Sequence, residues 1–351
     1  MAEQTNKSGH QKPATIHDVA RKAQVAVGTV SRFLNGHTIR KSNQIRVEAA
    51  ISDLQFQRNS SAASILKTHT KFVGFILPAF DEFHTDVLAT LIQTMKQAGF
   101  VVLPYSHGNQ KLHLPDALEY FREHRVAAII TSGDAAYNAH DELLRALDCP
   151  LILYSNDLVD LSVDRVVVND FQASKRATEH LIEMGHRHIG ILTGDIRDTT
   201  GERRLQGFCE AMANAGLPID KTSQICGGGW LQRDGYVAAN EMLGDPQTRP
   251  TAVFSSNYLL NLGMFQYCDE HGISIPDDLS TVTFGDSKHY PFYGRGLTAV
   301  RFPVEQIAES LTHVFLKRLG DSSLPKSRTV KHACELILRG SVLRRTNATH
   351  A

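Results

Sequence analysis

Residue types that do covalent or metal chemistry are present in this chain, but not at spacings that let them act together. The five cysteines, Cys149, Cys209, Cys226, Cys268 and Cys334, are scattered and never fall in C-x-x-C order. They read as reduced and structural, with no disulfide or metal role. The 17 histidines contain no H-E-x-x-H or comparable ligand pattern, so no metal or cofactor is expected. No G-x-G-x-x-G or G-x-x-x-x-G-K-[ST] occurs, and the run Gly227-Gly228-Gly229 lacks the lysine and spacing of a phosphate cradle; it reads as a loop. With no nucleophile–base pair at recognisable spacing, an enzyme is not expected. What remains is charge. The formal net charge is +0, yet residues 1–70 carry ten Lys/Arg against four Asp/Glu and the remainder 27 against 33. A basic end on an acidic body is the layout expected when one small module meets phosphates.

The elements that would position such a module can be read in order. Residues 1–13 are polar and are expected to be a disordered tail. Thr15 is suited to cap a short helix, Ile16 to about Ala23. Gln24-Val25-Ala26 makes the turn, and a second helix starts near Val27 and runs through Thr29, Val30, Ser31, Arg32 and Phe33. Ile16, Val19, Ala20, Val25, Val30 and Leu34 would form the core of this pair. A third helix, Asn43 to about Leu54, carries Val47, Ala50, Ile51 and Leu54 at helical spacing. Three short helices with a tight first turn make a helix-turn-helix, whose second helix sets side chains against base edges in the major groove.

From Lys71 the texture changes. Apolar runs at Phe72–Leu77, Val101–Tyr105, Ala127–Thr131, Leu151–Tyr154, Arg165–Val168, Ile189–Thr193, Ala252–Ser255 and Leu279–Phe284 alternate with helical segments. Short apolar strands alternating with helices indicate parallel sheets covered on both faces. Eight or more strands over this length suggest two doubly wound parallel-sheet subdomains rather than one sheet. No apolar run approaches the ~18 residues that span a bilayer, and the polar start, Met1 to Thr15, has no hydrophobic signal segment. A cytoplasmic protein with no membrane partner is expected.

Residues 15–36, T-I-H-D-V-A-R-K-A-Q-V-A-V-G-T-V-S-R-F-L-N-G, resemble the headpiece of the lactose-repressor (LacI/GalR) family of transcriptional regulators. The resemblance continues through V-V-V-N-D (166–170), H-L-I-E-M-G-H-R-H-I-G (180–190), R-R-L-Q-G-F (203–208), I-P-D-D-L-S (275–280), L-T-A-V-R-F-P (297–303) and C-E-L-I-L-R-G-S (334–341). It implies an all-α helix-turn-helix headpiece, residues 14–57, a hinge helix at 58–70 and a periplasmic-binding-protein-like core at 71–345. One lobe of that core would comprise about 71–169 and 301–329, the other about 170–300 and 330–345, with crossings near Asp170, Val300 and Val330.

The resemblance also assigns roles. Thr15, Val27, Gly28, Thr29, Ser31, Arg32 and Asn35 would face DNA, Val27 and Gly28 as the variable base-reading pair. Arg32 has the paired donors that suit guanine, while Thr29 and Asn35 would contact phosphate or support helix ends. In the hinge, Ala62 lets two helices approach, and Ile65, followed by Leu66, takes the position of a minor-groove wedge. Phe83, Asn156, Arg204, Trp230, Asn257 and Asp286 would line an effector site between the lobes. The implied function is an allosteric repressor: a homodimer on a near-palindromic double-stranded DNA operator, controlled by a carbohydrate or its derivative.

The pattern is not kept throughout. Ala26 replaces the usual Ser, removing a cap worth about 1 kcal/mol. Gln24 replaces a turn Gly, Gly28 offers no side chain to a base, and Arg58 stands where Pro is usual. Tyr258 stands where an acidic ligand-binding residue is common, and Thr283 and Gly285 where Gly and Asp are typical; from the loss of two carboxylates a less hydroxylated or anionic effector is expected. Two other classes share features with this chain. A solute-binding protein would need a signal peptide and no headpiece, and an enzyme would need a reactive constellation in the cleft.

Overall fold

The computed structural model describes residues 14–34, 37–56, 70–106, 114–133, 137, 140–157, 161–320 and 327–345. It divides into two compact units, Met1–His69 and Thr70–Ala351.

In the first unit, α1 (Ile16–Ala23), α2 (Val27–Leu34) and α3 (Lys41–Asp53) pack around Val19, Ala20, Ala23, Val30, Val47 and Ala50, all buried. Ile16, Val25 and Leu34, expected inside, lie half-buried at its margin, because α3 supplies the centre with Val47 and Ala50. Thr15 closes a capping box with Asp18: each side chain accepts from the other residue's backbone N–H, at 3.3 and 2.9 Å. Gln24 caps α1 in the left-handed region (φ 52°, ψ 47°), a conformation costing a non-glycine residue about 1–2 kcal/mol. Without a side-chain acceptor, Ala26 uses its carbonyl, which accepts from the N–H of Thr29 at 2.8 Å and of Val30 at 3.4 Å.

The second unit holds two six-stranded sheets. The strands are β1 (Phe72–Leu77), β2 (Val101–Ser106), β3 (Ile129–Thr131), β4 (Leu151–Tyr154), β5 (Asp164–Val168), β6 (Ile189–Thr193), β7 (Ile225–Gly227), β8 (Ala252–Ser255), β9 (Ser280–Phe284), β10 (Thr298–Arg301), β11 (Thr329–His332) and β12 (Glu335–Ile337). The first sheet is ordered β11-β5-β4-β3-β1-β2 and is parallel throughout; the second is ordered β12-β10-β9-β8-β6-β7, with β12 alone antiparallel.

Strand periodicity explains the double winding. Val73, Phe75 and Leu77 of β1 join Val87 and Leu91 of the helix Glu82–Gln97 and Ile307, Leu311 and Phe315 of the helix Val304–Gly320. Phe72 and Ile76 face the other way, onto Leu118 and Phe121 of the helix Leu114–Glu123 and Leu144 of Asp141–Arg145. The second sheet repeats the scheme: Ile191 and Phe254 meet the helices Asp170–Glu183 and Thr199–Asn214, while Leu192 and Val253 meet Gln232–Leu243 and Tyr258–Glu270. Each fully buried side chain of this size contributes about 1.5–3 kcal/mol.

The chain passes between the lobes three times. After β5 it enters the helix Asp170–Glu183, whose Ala173, Ala177 and Leu181 belong to the second core. Val300, expected at a crossing, is instead mid-strand, paired with Phe284; the passage follows at Phe302, which packs against both cores. Val330 likewise pairs with Val166 in the first sheet, so the last crossing falls between His332 and Glu335, and the first lobe keeps β11 to its end. There the Asn169 carboxamide accepts from the Cys334 N–H at 2.8 Å, binding two crossings together.

Candidate functional site

On the first unit, α2 brings Val27, Gly28, Thr29, Ser31 and Arg32 into one turn and a half. Gly28 and Arg32 are exposed, while Val27, Thr29 and Ser31 are half-buried. A Cβ at Gly28 would meet nothing within 4 Å, so a side chain is absent there by type rather than by crowding. Val27 also packs against the helical core, which leaves it less free to reach a base. Arg32 forms no ion pair among the described residues, whereas Arg21 is held by Asp18 and Lys22 by Asp53. An exposed guanidinium without a carboxylate is able to donate to an outside acceptor. Arg40 and Lys41 open α3, whose first turn carries no acid and no side-chain cap; their positive charge there was not singled out from the sequence. Asn35, Ala62, Ile65 and Leu66 lie outside the described residues.

On the second unit, a cavity of about 610 Å³ opens at the carboxyl ends of both sheets, where doubly wound folds bind ligands. Phe83, Asn156, Arg204, Trp230, Asn257 and Asp286 all border it. What each can offer differs. Phe83 packs with its ring tilted against Phe302 and His84, at centroid distances of 4.1 and 5.0 Å, so it is wall and core at once. The Trp230 indole donates to the Asp198 carboxylate at 2.7 Å. A Cβ on Gly194 would sit 2.2 Å from that ring, so glycine is what lets the indole lie against the end of β6. Asn156 accepts from the Thr200 N–H at 3.0 Å, holding the first lobe to the start of the helix Thr199–Asn214. Asn257 caps its own helix, accepting from the Leu259 N–H at 2.7 Å.

Arg204 and Asp286, the two charged residues expected to line the effector site, are already engaged. Arg204 donates to Asp170 at 2.8 Å and to the Ser256 carbonyl at 2.7 Å, and its guanidinium lies 3.6 Å over the Phe284 ring. Burial raises the Asp170 carboxyl above its ordinary value, a rise that Arg204 opposes. Asp286 accepts a paired hydrogen bond from Arg339 at 2.8 and 3.0 Å and a further one from Arg301 at 2.9 Å. Its nearest role is to cross-link β10 to the C-terminal segment.

Other groups were not foreseen. His84 is buried, and its Nδ1 lies 2.8 Å from the Tyr154 hydroxyl. Desolvation lowers the imidazole below its usual range despite the neighbouring Asp81. Thr200 lines the cavity and is buried, its hydroxyl without a hydrogen-bond partner among the described residues. Asp81, Glu82, Asp86, Asp198 and Glu305 also line the space. Carboxylates from other elements, mainly the helices Glu82–Gln97 and Val304–Gly320, thus line the space despite Tyr258 and Gly285, and the inference of an anionic or poorly hydroxylated effector loses its basis. Three of these acids immediately follow β1 or lie in the helix after it; strand-end position was the available signal.

Residues 15–59 match the model of bacterial regulatory proteins of the lacI family, and residues 178–342 match that of a periplasmic binding protein-like domain. The HTH-type transcriptional repressor PurR of Photobacterium profundum is 27% identical over 332 residues, covering 94% of this chain and 98% of the relative. The ribose operon repressor of Haemophilus influenzae is 26% identical over 338 residues, with coverages of 94% and 98%. Among solved structures, the lac repressor dimer bound to operator and the anti-inducer ONPF superposes with a TM-score of 0.82 at 20% identity, over 95% of this chain and 100% of that one. Both the helical headpiece and the two-lobed core therefore have counterparts in order along one chain, which carries a lacI-family helix-turn-helix domain followed by a periplasmic binding protein-like domain.

Proposed function

We propose that this protein is a sequence-specific repressor, not an enzyme, whose operator affinity is set by a small metabolite bound between the lobes of its core. One observation carries the reading. A helix-turn-helix that leaves Arg32 exposed and without an ion pair among the described residues is joined in a single chain to a two-lobed core enclosing a polar, aromatic-walled cavity. Relatives that match nearly the whole chain carry the names of repressors, and a structural neighbour, the regulator CelR, was solved with cellobiose. These support a carbohydrate or carbohydrate-like effector.

Arg32 is the side chain proposed to read a base pair, with Ser31 beside it; Val27, Thr29, Thr15 and Asn35 position the helix on the backbone, and Gly28 permits close approach. Residues 14–57 are proposed as the DNA-binding domain, and 58–70 as a hinge in which Ala62, Ile65 and Leu66 enter the minor groove. A homodimer offers two headpieces to two half-sites. Work on an operator places the protein in the cytoplasm, at the nucleoid. The linkage is thermodynamic: an effector preferring the lobe arrangement that disfavours operator binding weakens it, and one preferring the other arrangement strengthens it.

Selection of bound duplexes from a random pool at about 100 mM salt, with and without a metabolite extract, tests the reading. An enriched near-palindrome whose recovery the extract changes is the expected result. No enrichment under either condition overturns it.

A further inference from the structure

The charges around the cavity fall into two groups. Those of the second lobe are largely internally matched: Arg204 by Asp170, and Arg301 and Arg339 by Asp286. The first lobe presents Asp81, Glu82, Asp86 and Glu305 to the same space. Glu82, Asp86 and Glu305 form no ion pair among the described residues, and no lysine or arginine of the first lobe lines the cavity with them. Burial, with the neighbouring Glu82 and Glu305 adding, raises the Asp86 carboxyl, and Lys288 acts against the rise. Lys288 is the cation that the second lobe brings to this wall, and its backbone N–H donates to Glu82 at 3.3 Å across the cleft. Where the lining is more buried, the Thr200 hydroxyl has no hydrogen-bond partner among the described residues, and the indole of Trp230 is fixed by Asp198. The cavity thus offers a polar inner end and a negatively charged mouth.

From this juxtaposition we propose that the effector carries a protonated amine or comparable cationic group, held at the mouth by Glu82, Asp86 and Glu305, with its uncharged polar portion against Thr200 and Trp230. The inference rests on the cleft being the effector site. A cation placed there does for the acidic wall what Lys288 does alone: it offsets repulsion among like charges and favours the lobes being drawn together. An anion would meet the same wall unpaired, and would find the arginines of the second lobe already committed.

The test is a thermal melt of the full chain at neutral pH with three pools from one bacterial metabolite extract: retained on a cation exchanger, retained on an anion exchanger, and retained on neither. The cation-exchanger pool is expected to raise Tm by a few degrees and the others not. That shift should shrink in Glu82→Gln/Asp86→Asn and as sodium chloride is added, and grow in Lys288→Met, which removes the competing internal cation. Stabilisation by the neutral or anionic pool instead, by no pool, or a shift indifferent to all three perturbations, overturns the charge assignment. A cationic-pool shift that survives Trp230→Ala and Thr200→Val unchanged would mean that the ligand sits outside the cleft, which is failure of the underlying reading and not of the charge class alone.

Discussion

At the scale of single residues, Arg32 and Gln24 show how position decides what a side chain does. Arg32 is exposed on α2 without a carboxylate partner among the described residues, so its replacement by Ala should cost little folding stability. It should weaken specific operator binding by about 1–3 kcal/mol and relax preference at one base pair, measured by anisotropy with a selected operator and single-base variants. A uniform loss on all sequences would make Arg32 a phosphate contact. Gln24 holds a left-handed cap that a glycine adopts freely. Gln24→Gly is expected to stabilise the helical unit by up to about 1 kcal/mol after glycine's entropic penalty, read from a urea melt; destabilisation would show that the Gln24 side chain makes a contact outweighing its strain. That the position departs from a family glycine was visible in the sequence. The consumption of Asp286 was not, because it depends on Arg339, which is 53 residues away in the chain. Residue type and strand-end position located the cavity's border, but which bordering groups are free is settled by tertiary partners.

At the scale of elements, two contacts set expectations. The helices Asp170–Glu183 and Thr199–Asn214 touch backbone to backbone: a Cβ on Gly207 would lie 2.3 Å from the Phe171 carbonyl oxygen. Gly207→Ala should therefore cost about 1–3 kcal/mol by overpacking, seen as a lowered denaturant midpoint. His186 ties the start of β6 to two other segments, its Nδ1 2.9 Å from the Thr251 hydroxyl and its Nε2 3.1 Å from the Leu343 carbonyl. A carbonyl only accepts, so the neutral ring carries its proton on Nε2 and accepts from Thr251. Burial, with Arg345 adding, lowers this imidazole to about 4. The unfolded chain, with an ordinary value of about 6.5, takes up the proton first, so this contribution is whole above about pH 6.5 and declines as pH falls towards 4. His186→Gln should flatten urea midpoints over that window; an unchanged slope would assign the acid sensitivity to another group, such as His84. Strands with uninterrupted apolar runs, such as β4, were legible because such runs leave few alternatives. β7, β10, β11 and β12 were not: β7, β11 and β12 are three or four residues at sheet edges, part exposed, and β10, although interior, is four residues bounded by Thr298 and Arg301.

At the scale of the whole molecule, reading DNA and sensing a ligand are assigned to different units, so the two should be separable by substitution. Trp230→Ala is expected to abolish or strongly reduce the effector's influence on operator binding while leaving ligand-free binding intact. Equal loss of both would point to a folding defect, and an unaltered response would put the ligand elsewhere. The fold class was legible because strand–helix alternation has few architectures, whereas the order in which the lobes are completed was not. That order has a consequence for synthesis. β1 begins the first sheet and β6 the second, yet each sheet receives an edge strand, β11 or β12, only between Thr329 and Ile337. A nascent chain emerging from the ribosome can fold α1–α3 early, from contacts among neighbours, but must hold both halves of the core unfinished until β11 and β12 are released. Interrupted translation would therefore yield not one finished lobe and one missing lobe, but two open sheet edges ready to pair with another chain.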